Sequence, residues 1–209
     1  GLDALMLEFN RENNIVKFNE GESFGDSHGE GVASVLAGHK IGGKFDGVAP
    51  GAKIIDYDLS EKGANQKESV YTIGKFLRAV EKLAKNGANI INISYSLFFT
   101  SLESQIIMSQ ALEEIGRRYD CLIVFSAGNN GPGLGSLNRS AIYPTTTIRV
   151  GAFVGPELDA HVHGVTGLPD EGRVIYYSSR GPGARGGAGP DIISPLASLA
   201  HGDARTEFI

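Results

Sequence analysis

The chain has 209 residues, 41 % of them hydrophobic and 21 % charged. That length gives one domain with a large core or two small ones, and the composition excludes a disordered chain. A formal net charge of −5 with no clustered basic stretch gives no sign of a nucleic-acid-binding or polybasic membrane surface, which needs a clustered positive field. The single cysteine, Cys121, excludes an internal disulfide framework and a multi-cysteine metal knot. Apolar runs such as Cys121–Phe125 are too short to span a bilayer.

Leu5, Leu7 and Phe9, then Val16 and Phe18, alternate around a turn at Arg11–Asn14, so residues 5–18 read as a hairpin. A helix is expected from His28, with Val32, Val35 and Leu36 at helical spacing and Gly38 as its stop. Ala52–Tyr57 reads as a short buried strand. A long amphipathic helix follows over 68–86, with Val70, Ile73, Leu77, Val80 and Ala84 inward and Gly87 ending it. Ile90, Ile91 and Ile93 form the next buried strand. Thr100-Ser101-Leu102-Glu103 fits a capping box that opens a helix to Arg118, with Met108, Leu112 and Ile115 on its apolar face. Leu122–Phe125 is a continuous apolar strand, and shorter strands are expected at 148–153, 174–177 and 192–193.

Strand and helix alternate through the middle, and the central strands carry no polar face. The expected fold is therefore α/β, with a mostly parallel central sheet and helices on both faces. Function in such sheets gathers at the carboxyl ends of strands. Glycine is unusually frequent, with 29 residues against about 7 % in average proteins. Together with the start at Gly1 and the end at Phe208-Ile209, this gives the expectation of a piece cut from a longer protein.

Four segments are candidates for chemistry. In His28-Gly29-Glu30-Gly31-Val32-Ala33 a histidine opens a helix. The helix N-terminus disfavours its charged form, which suits a general base near neutral pH. A simple helix cap fits the same residues. In Ser126-Ala127-Gly128-Asn129-Asn130-Gly131-Pro132 a carboxamide follows the strongest apolar strand. It can donate to a developing oxyanion without bringing charge, although Asn and Gly also make ordinary tight turns. Asn92-Ile93-Ser94-Tyr95-Ser96 ends another strand, where free backbone groups can pair with an extended peptide. Tyr177-Ser178-Ser179-Arg180-Gly181-Pro182 says by itself only that the chain loops. His161-x-His163, near Glu157 and Asp159, lacks any accompanying Cys/His set and reads as surface rather than metal site.

Taken in order, these segments resemble the subtilisin-like serine peptidases. The resemblance rests on His28-Gly29 with Val32-Ala33 and Ala37-Gly38, Gly47-Val48-Ala49-Pro50-Gly51-Ala52, Ile91-Asn92-Ile93-Ser94, Ser126-Ala127-Gly128-Asn129, Ser178-Ser179-Arg180-Gly181-Pro182 and Pro190-Asp191-Ile192-Ile193-Ser194-Pro195. Ala127–Pro132 and the Ser-Ser-Arg-Gly-Pro run look most like the tripeptidyl peptidase II branch. The resemblance implies that His28 is the catalytic base and Asn129 the side-chain oxyanion donor. Ser94, Tyr95 and Ser96 would pair with substrate backbone, and Ser126, Ala127 and Gly128 would form a wall of the specificity pocket. Glu30 and Gly31 depart from the family's usual His-Gly-Thr-His, and Tyr95-Ser96 replaces its usual Leu-Gly.

The family's nucleophile motif, Gly-Thr-Ser-Met-Ala, and its Asp-Thr-Gly or Asp-Ser-Gly acid motif do not occur in these residues. The expectation is that 1–209 is one domain, the central portion of a peptidase domain, with 1–24 the end of an insertion. The remainder of the same polypeptide would supply the acid and the serine, so the isolated chain is expected to be inactive. The expected partner is a peptide or protein substrate, with no cofactor, nucleic acid or membrane. Two rivals stand beside this reading: a pseudoprotease that binds peptide without cutting, and an unrelated doubly wound ligand-binding domain. The second lacks a Gly-x-Gly-x-x-Gly or a Walker loop.

Overall fold

The computed structural model describes residues 16–19, 27–38, 46–59, 72–94, 101–137, 146–156, 164, 166–167, 171–183, 186–195, 199–200 and 207–208. The chain divides into two compact units, Gly1–Phe76 with Ala197–Ile209, and Leu77–Leu196.

In the first unit, β1 (Val16–Asn19) pairs in parallel with β2 (Ile55–Asp58), Val16 opposite Ile55 and Asn19 opposite Asp58. The second arm of the expected hairpin is thus a strand whose described partner is β2; the first arm lies outside the described residues. The strand expected at Ala52–Tyr57 begins only at Ile55, because Ala52 is still in a turn, its N–H donating to Ala49 O at 2.9 Å. Helix α1 (Ser27–Ala37) stops before Gly38. Its last turn finds donors beyond the helix: Val48 and Ala49 donate their N–H groups to Val35 and Leu36 O at 3.0 and 2.7 Å, and Gly47 donates to O of Gly38, just past the end, at 2.7 Å. Only glycine fits at 47, where a Cβ would come within 2.8 Å of Ala37 N. Two short strands, β8 (Leu199–Ala200) and β9 (Glu207–Phe208), pair antiparallel.

Helix α2 (Ile73–Lys85) begins later than the expected Glu68. Thr72 caps it, its Oγ1 accepting from Lys75 N at 3.2 Å; residues 60–71 lie outside the described residues. Its buried stripe is Phe76, Ala79, Val80 and Ala84, with Ile73 and Leu77 only partly covered. Val80 and Ala84 are buried as expected, while Phe76 and Ala79 take the places expected of Ile73 and Leu77. The stop is as expected: Gly87 sits at φ 88, and Gly87 and Ala88 donate to Ala84 and Leu83 O, closing the helix.

The second unit is built on a five-stranded sheet. In it β3 (Ile90–Ile93), β4 (Leu122–Ser126), β5 (Thr147–Val154) and β7 (Ile192–Pro195) are parallel, and β6 (Arg173–Val174) runs antiparallel to β5. The α/β class and the mostly parallel sheet expected from the sequence are therefore present. Helix α3 (Leu102–Tyr119) buries Met108, Leu112 and Ile115, as its spacing requires, and the core continues through Ile91, Ile93, Ile123 and Phe125. Its N-cap is one residue later than the capping box predicts. Ser101 Oγ accepts from Ser104 N at 3.2 Å, so serine rather than Glu103 occupies the third helical position. At the other end Asp120 adopts the left-handed conformation, φ 50 and ψ 50, and Cys121 N donates to Gly116 O. Helices α2 and α3 meet where Tyr119 Oη donates to Glu81 Oε1 at 3.2 Å.

Two strands differ from expectation. Ile90, read as buried, is 62 % exposed, because successive side chains of β3 face opposite ways and only Ile91 and Ile93 face the core. The strand expected over 174–177 ends at Val174. Ile175 still donates to Ala152 O, but Ser178 N then donates back to Ile175 O and turns the chain.

Candidate active site

β3 and β4 end side by side. Ile93 lies opposite Phe125, so Ser94, just past β3, and Ser126, the last residue of β4, stand at the same carboxyl edge. At the end of β3 the Asn92 carboxamide donates to Ser94 Oγ at 2.9 Å. At the end of β4, Ala127 donates to Val150 O at 2.8 Å, holding the chain to β5 for one more residue. Ala127 and Gly128 are buried; Asn129 and Asn130 are exposed. Gly128 has φ 98, a conformation that side-chain-bearing residues rarely adopt, and it turns the chain so that Asn129 emerges at the edge.

The Gly128–Leu137 segment leans on a second segment, Tyr176–Gly181. Gly131 donates to Tyr177 O (2.8 Å), Ser179 to Gly128 O (2.9 Å), Leu137 to Arg180 O (2.9 Å) and Gly135 to Gly181 O (3.2 Å). Two buried serines close the arrangement. Ser178 Oγ accepts from Ala152 N at 3.0 Å, anchoring the second segment to β5. Ser179 Oγ accepts from Asn130 N at 3.0 Å, anchoring it to the Asn129 loop. Gly131 has no room for a side chain, since a Cβ there would meet the backbone of Tyr176, Tyr177 and Ser178.

Behind this loop, Arg149 of β5 is locked to Asp191. Its Nε and Nη2 reach the two carboxylate oxygens at 2.8 and 2.7 Å, its N–H reaches Oδ2 at 2.8 Å, and Asp191 N returns a bond to Arg149 O. The bonds from the Arg149 side chain, with that from its backbone, hold the Asp191 carboxyl below its ordinary value. Burial, with a smaller effect from Tyr176, pushes the Tyr177 hydroxyl up. No charged residue lies within Ser126–Pro132, so Asn129 offers a neutral donor.

Ser94, Ser126, Ala127, Gly128 and Asn129 all belong to the second unit and to its carboxyl edge. His28 stands in the first unit, second residue of α1. Tyr95 and Ser96 lie outside the described residues, as do His161 and His163 with Glu157 and Asp159. Among the described residues no group of three His, Cys, Asp or Glu is placed to hold a metal. Sequence reasoning gave no role to Ser178, Ser179 or Gly131. The available signal was a Ser-Ser pair among glycines, which is uninformative until its partners are known.

Residues 3–206 match the model of the subtilase family. Tripeptidyl-peptidase 2 of Oryza sativa subsp. japonica is 31 % identical over 174 residues, covering 83 % of this chain and 12 % of that protein. The enzyme of the same name from Drosophila melanogaster is 30 % identical over 177 residues, with the same coverage. Pyrolysin of Pyrococcus furiosus is 28 % identical over 161 residues, 71 % of this chain and 11 % of that one. The chain thus spans about an eighth of the curated relatives it matches. Among solved structures, the prenylagaramide maturation protease PagA superposes with a TM-score of 0.63 at 20 % identity, covering 93 % of this chain and 62 % of that one. Sphericase gives 0.61 at 19 %, covering 90 % and 62 %. At such identities these two bear on the fold alone.

Proposed function

Because the chain belongs to the subtilase family of serine peptidases, we propose that it contributes the base and the oxyanion donor to peptide-bond hydrolysis. In this reading a serine outside the 209 residues attacks the scissile carbonyl. His28 accepts the serine's proton and returns it to the leaving amine, and an acid outside the chain orients the imidazole. The Asn129 carboxamide donates to the oxygen that becomes negative in the tetrahedral intermediate. Ser94 with Tyr95 and Ser96 pairs with the substrate backbone, and Ser126–Gly128 walls the pocket for the side chain beside the scissile bond.

The observation that supports this most is the setting of Asn129. It is exposed, uncharged and one residue past a positive-φ glycine, on a loop fixed by hydrogen bonds on both sides. Such a donor costs little reorganisation during the reaction, which is what makes oxyanion stabilisation effective.

The test is steady-state kinetics on the peptidase polypeptide that carries these residues together with its serine. Loss of a carboxamide oxyanion donor in a subtilisin, a member of this same family, lowers kcat by about 10²–10³. Asn129→Ala should do the same with KM nearly unchanged, because the donor acts on charge present mainly in the transition state. Asn129→Asp should be at least as damaging, since it sets a carboxylate against the oxyanion. Near-wild-type kcat for Asn129→Asp, with an unchanged melting temperature, would remove Asn129 from the mechanism.

A further inference from the structure

The direction in which the Asn129 side chain leaves the backbone is set by the two peptide planes that flank its Cα. The first plane contains the Gly128 carbonyl, the second the Asn130 N–H. Both of these groups are bonded to one residue, Ser179: its N–H donates to Gly128 O at 2.9 Å, and its Oγ accepts from Asn130 N at 3.0 Å. Ser179 is fully buried, at 0 % exposure. Its own backbone is fixed in turn, because Ser178 Oγ accepts from Ala152 N of β5 and Arg180 N donates to Ser136 Oγ at 3.0 Å. With both planes held, only the two side-chain torsions of Asn129 remain free.

We propose that Ser179 is a positioning residue for Asn129, clamping both of its flanking peptide groups so that the carboxamide is aimed before substrate arrives. The proposal deepens the oxyanion reading of Asn129 and rests on it. A donor must sit about 2.7–3.1 Å from where the oxyanion forms, and a misplacement of about 1 Å can cost 10²-fold. Removing the Ser179 hydroxyl releases the second plane and leaves the first, since the bond to Gly128 uses the Ser179 backbone. The effect is therefore smaller than that of losing Asn129 itself.

The experiment is a double-mutant cycle in the active polypeptide, with melting temperature recorded for every variant. Ser179→Ala should lower kcat about tenfold and leave KM within about twofold. Ser179→Cys, nearly the same size but with a weak acceptor, should fall between it and wild type. In an Asn129→Ala background, Ser179→Ala should cost less than about twofold more, because no carboxamide remains to aim. Equal losses in both backgrounds would make Ser179 a residue of the framework and overturn the proposal. So would unchanged kcat in Ser179→Ala, or variants that no longer fold. If Asn129→Ala alone leaves kcat intact, the oxyanion reading itself has failed, a result distinct from additivity between the two sites.

Discussion

The close approach of Gly131 to the Tyr176–Ser178 backbone makes Gly131→Ala a severe test of how the Asn129 loop is held. A Cβ on residue 131 would lie 2.5 Å from Tyr176 O and 2.9 Å from Tyr177 C, where ordinary contact begins near 3.4 Å. Ser178 O lies closer still, so relief requires a displacement of about 1 Å, and every atom in the way is backbone, so no side-chain rotation supplies it. Overpacking of this kind costs about 1–3 kcal/mol. The same displacement disrupts the bonds from Gly131 N to Tyr177 O and from Ser179 N to Gly128 O, each contributing about 1 kcal/mol. The expected destabilisation is therefore about 3–5 kcal/mol, read as a lower urea midpoint at unchanged m-value, with kcat falling as Asn129 shifts. Gly133→Ala is the internal control. It lies two residues away with open space around its Cβ, and should change stability by less than about 1 kcal/mol. Equal midpoints for wild type and Gly131→Ala would refute the close approach of the two segments.

Two further outcomes follow from the second unit. Asp120 holds a left-handed conformation, φ 50, at the end of α3, which glycine adopts with less strain. Asp120→Gly should raise the melting temperature, by up to about 1 kcal/mol in stability, and a lowered one would contradict the cap assignment. The Asp191 carboxyl is held down chiefly by Arg149, so its folded pKa lies below the unfolded value near 3.9. The pair therefore stabilises the fold above about pH 4, and that contribution fades as pH falls through the depressed value. Asp191→Asn should lower the urea midpoint at pH 7 and approach wild type at pH 3; an equal gap at both would exclude the ion pair as the cause.

Regular elements were legible wherever a local pattern decides them. The i, i+4, i+7 spacing of Met108, Leu112 and Ile115 gave the buried face of α3, and Gly87 gave the end of α2. The apolar run at 122–125 gave β4 almost to the residue. The misses lie where an apolar run says nothing about which face is covered or where the chain turns. The exposure of Ile90 depends on what covers each face of β3. The early end of β6 depends on Ser178 turning back to Ile175. In the site, Ser94 and Ser126–Asn129 were recognisable as strand-end residues because each follows its own strand. Ser179 was not, because a hydroxyl 49 residues from the amide it caps has no signature in its own neighbourhood.

That separation of 49 residues also orders the making of the site in time. A ribosome adding about 5–20 residues per second releases Asn129 some seconds before Ser179 has been joined to the chain. Until then the Gly128 carbonyl and the Asn130 amide are without the one residue that holds them both. The strand that carries Asn129 can pair with β3 as soon as both have emerged, but its terminal loop must wait for Tyr176–Gly181 to dock against β5. Chain order thus delays the aiming of the carboxamide behind the building of the sheet it stands on, so a nascent chain has the scaffold before it has the tool.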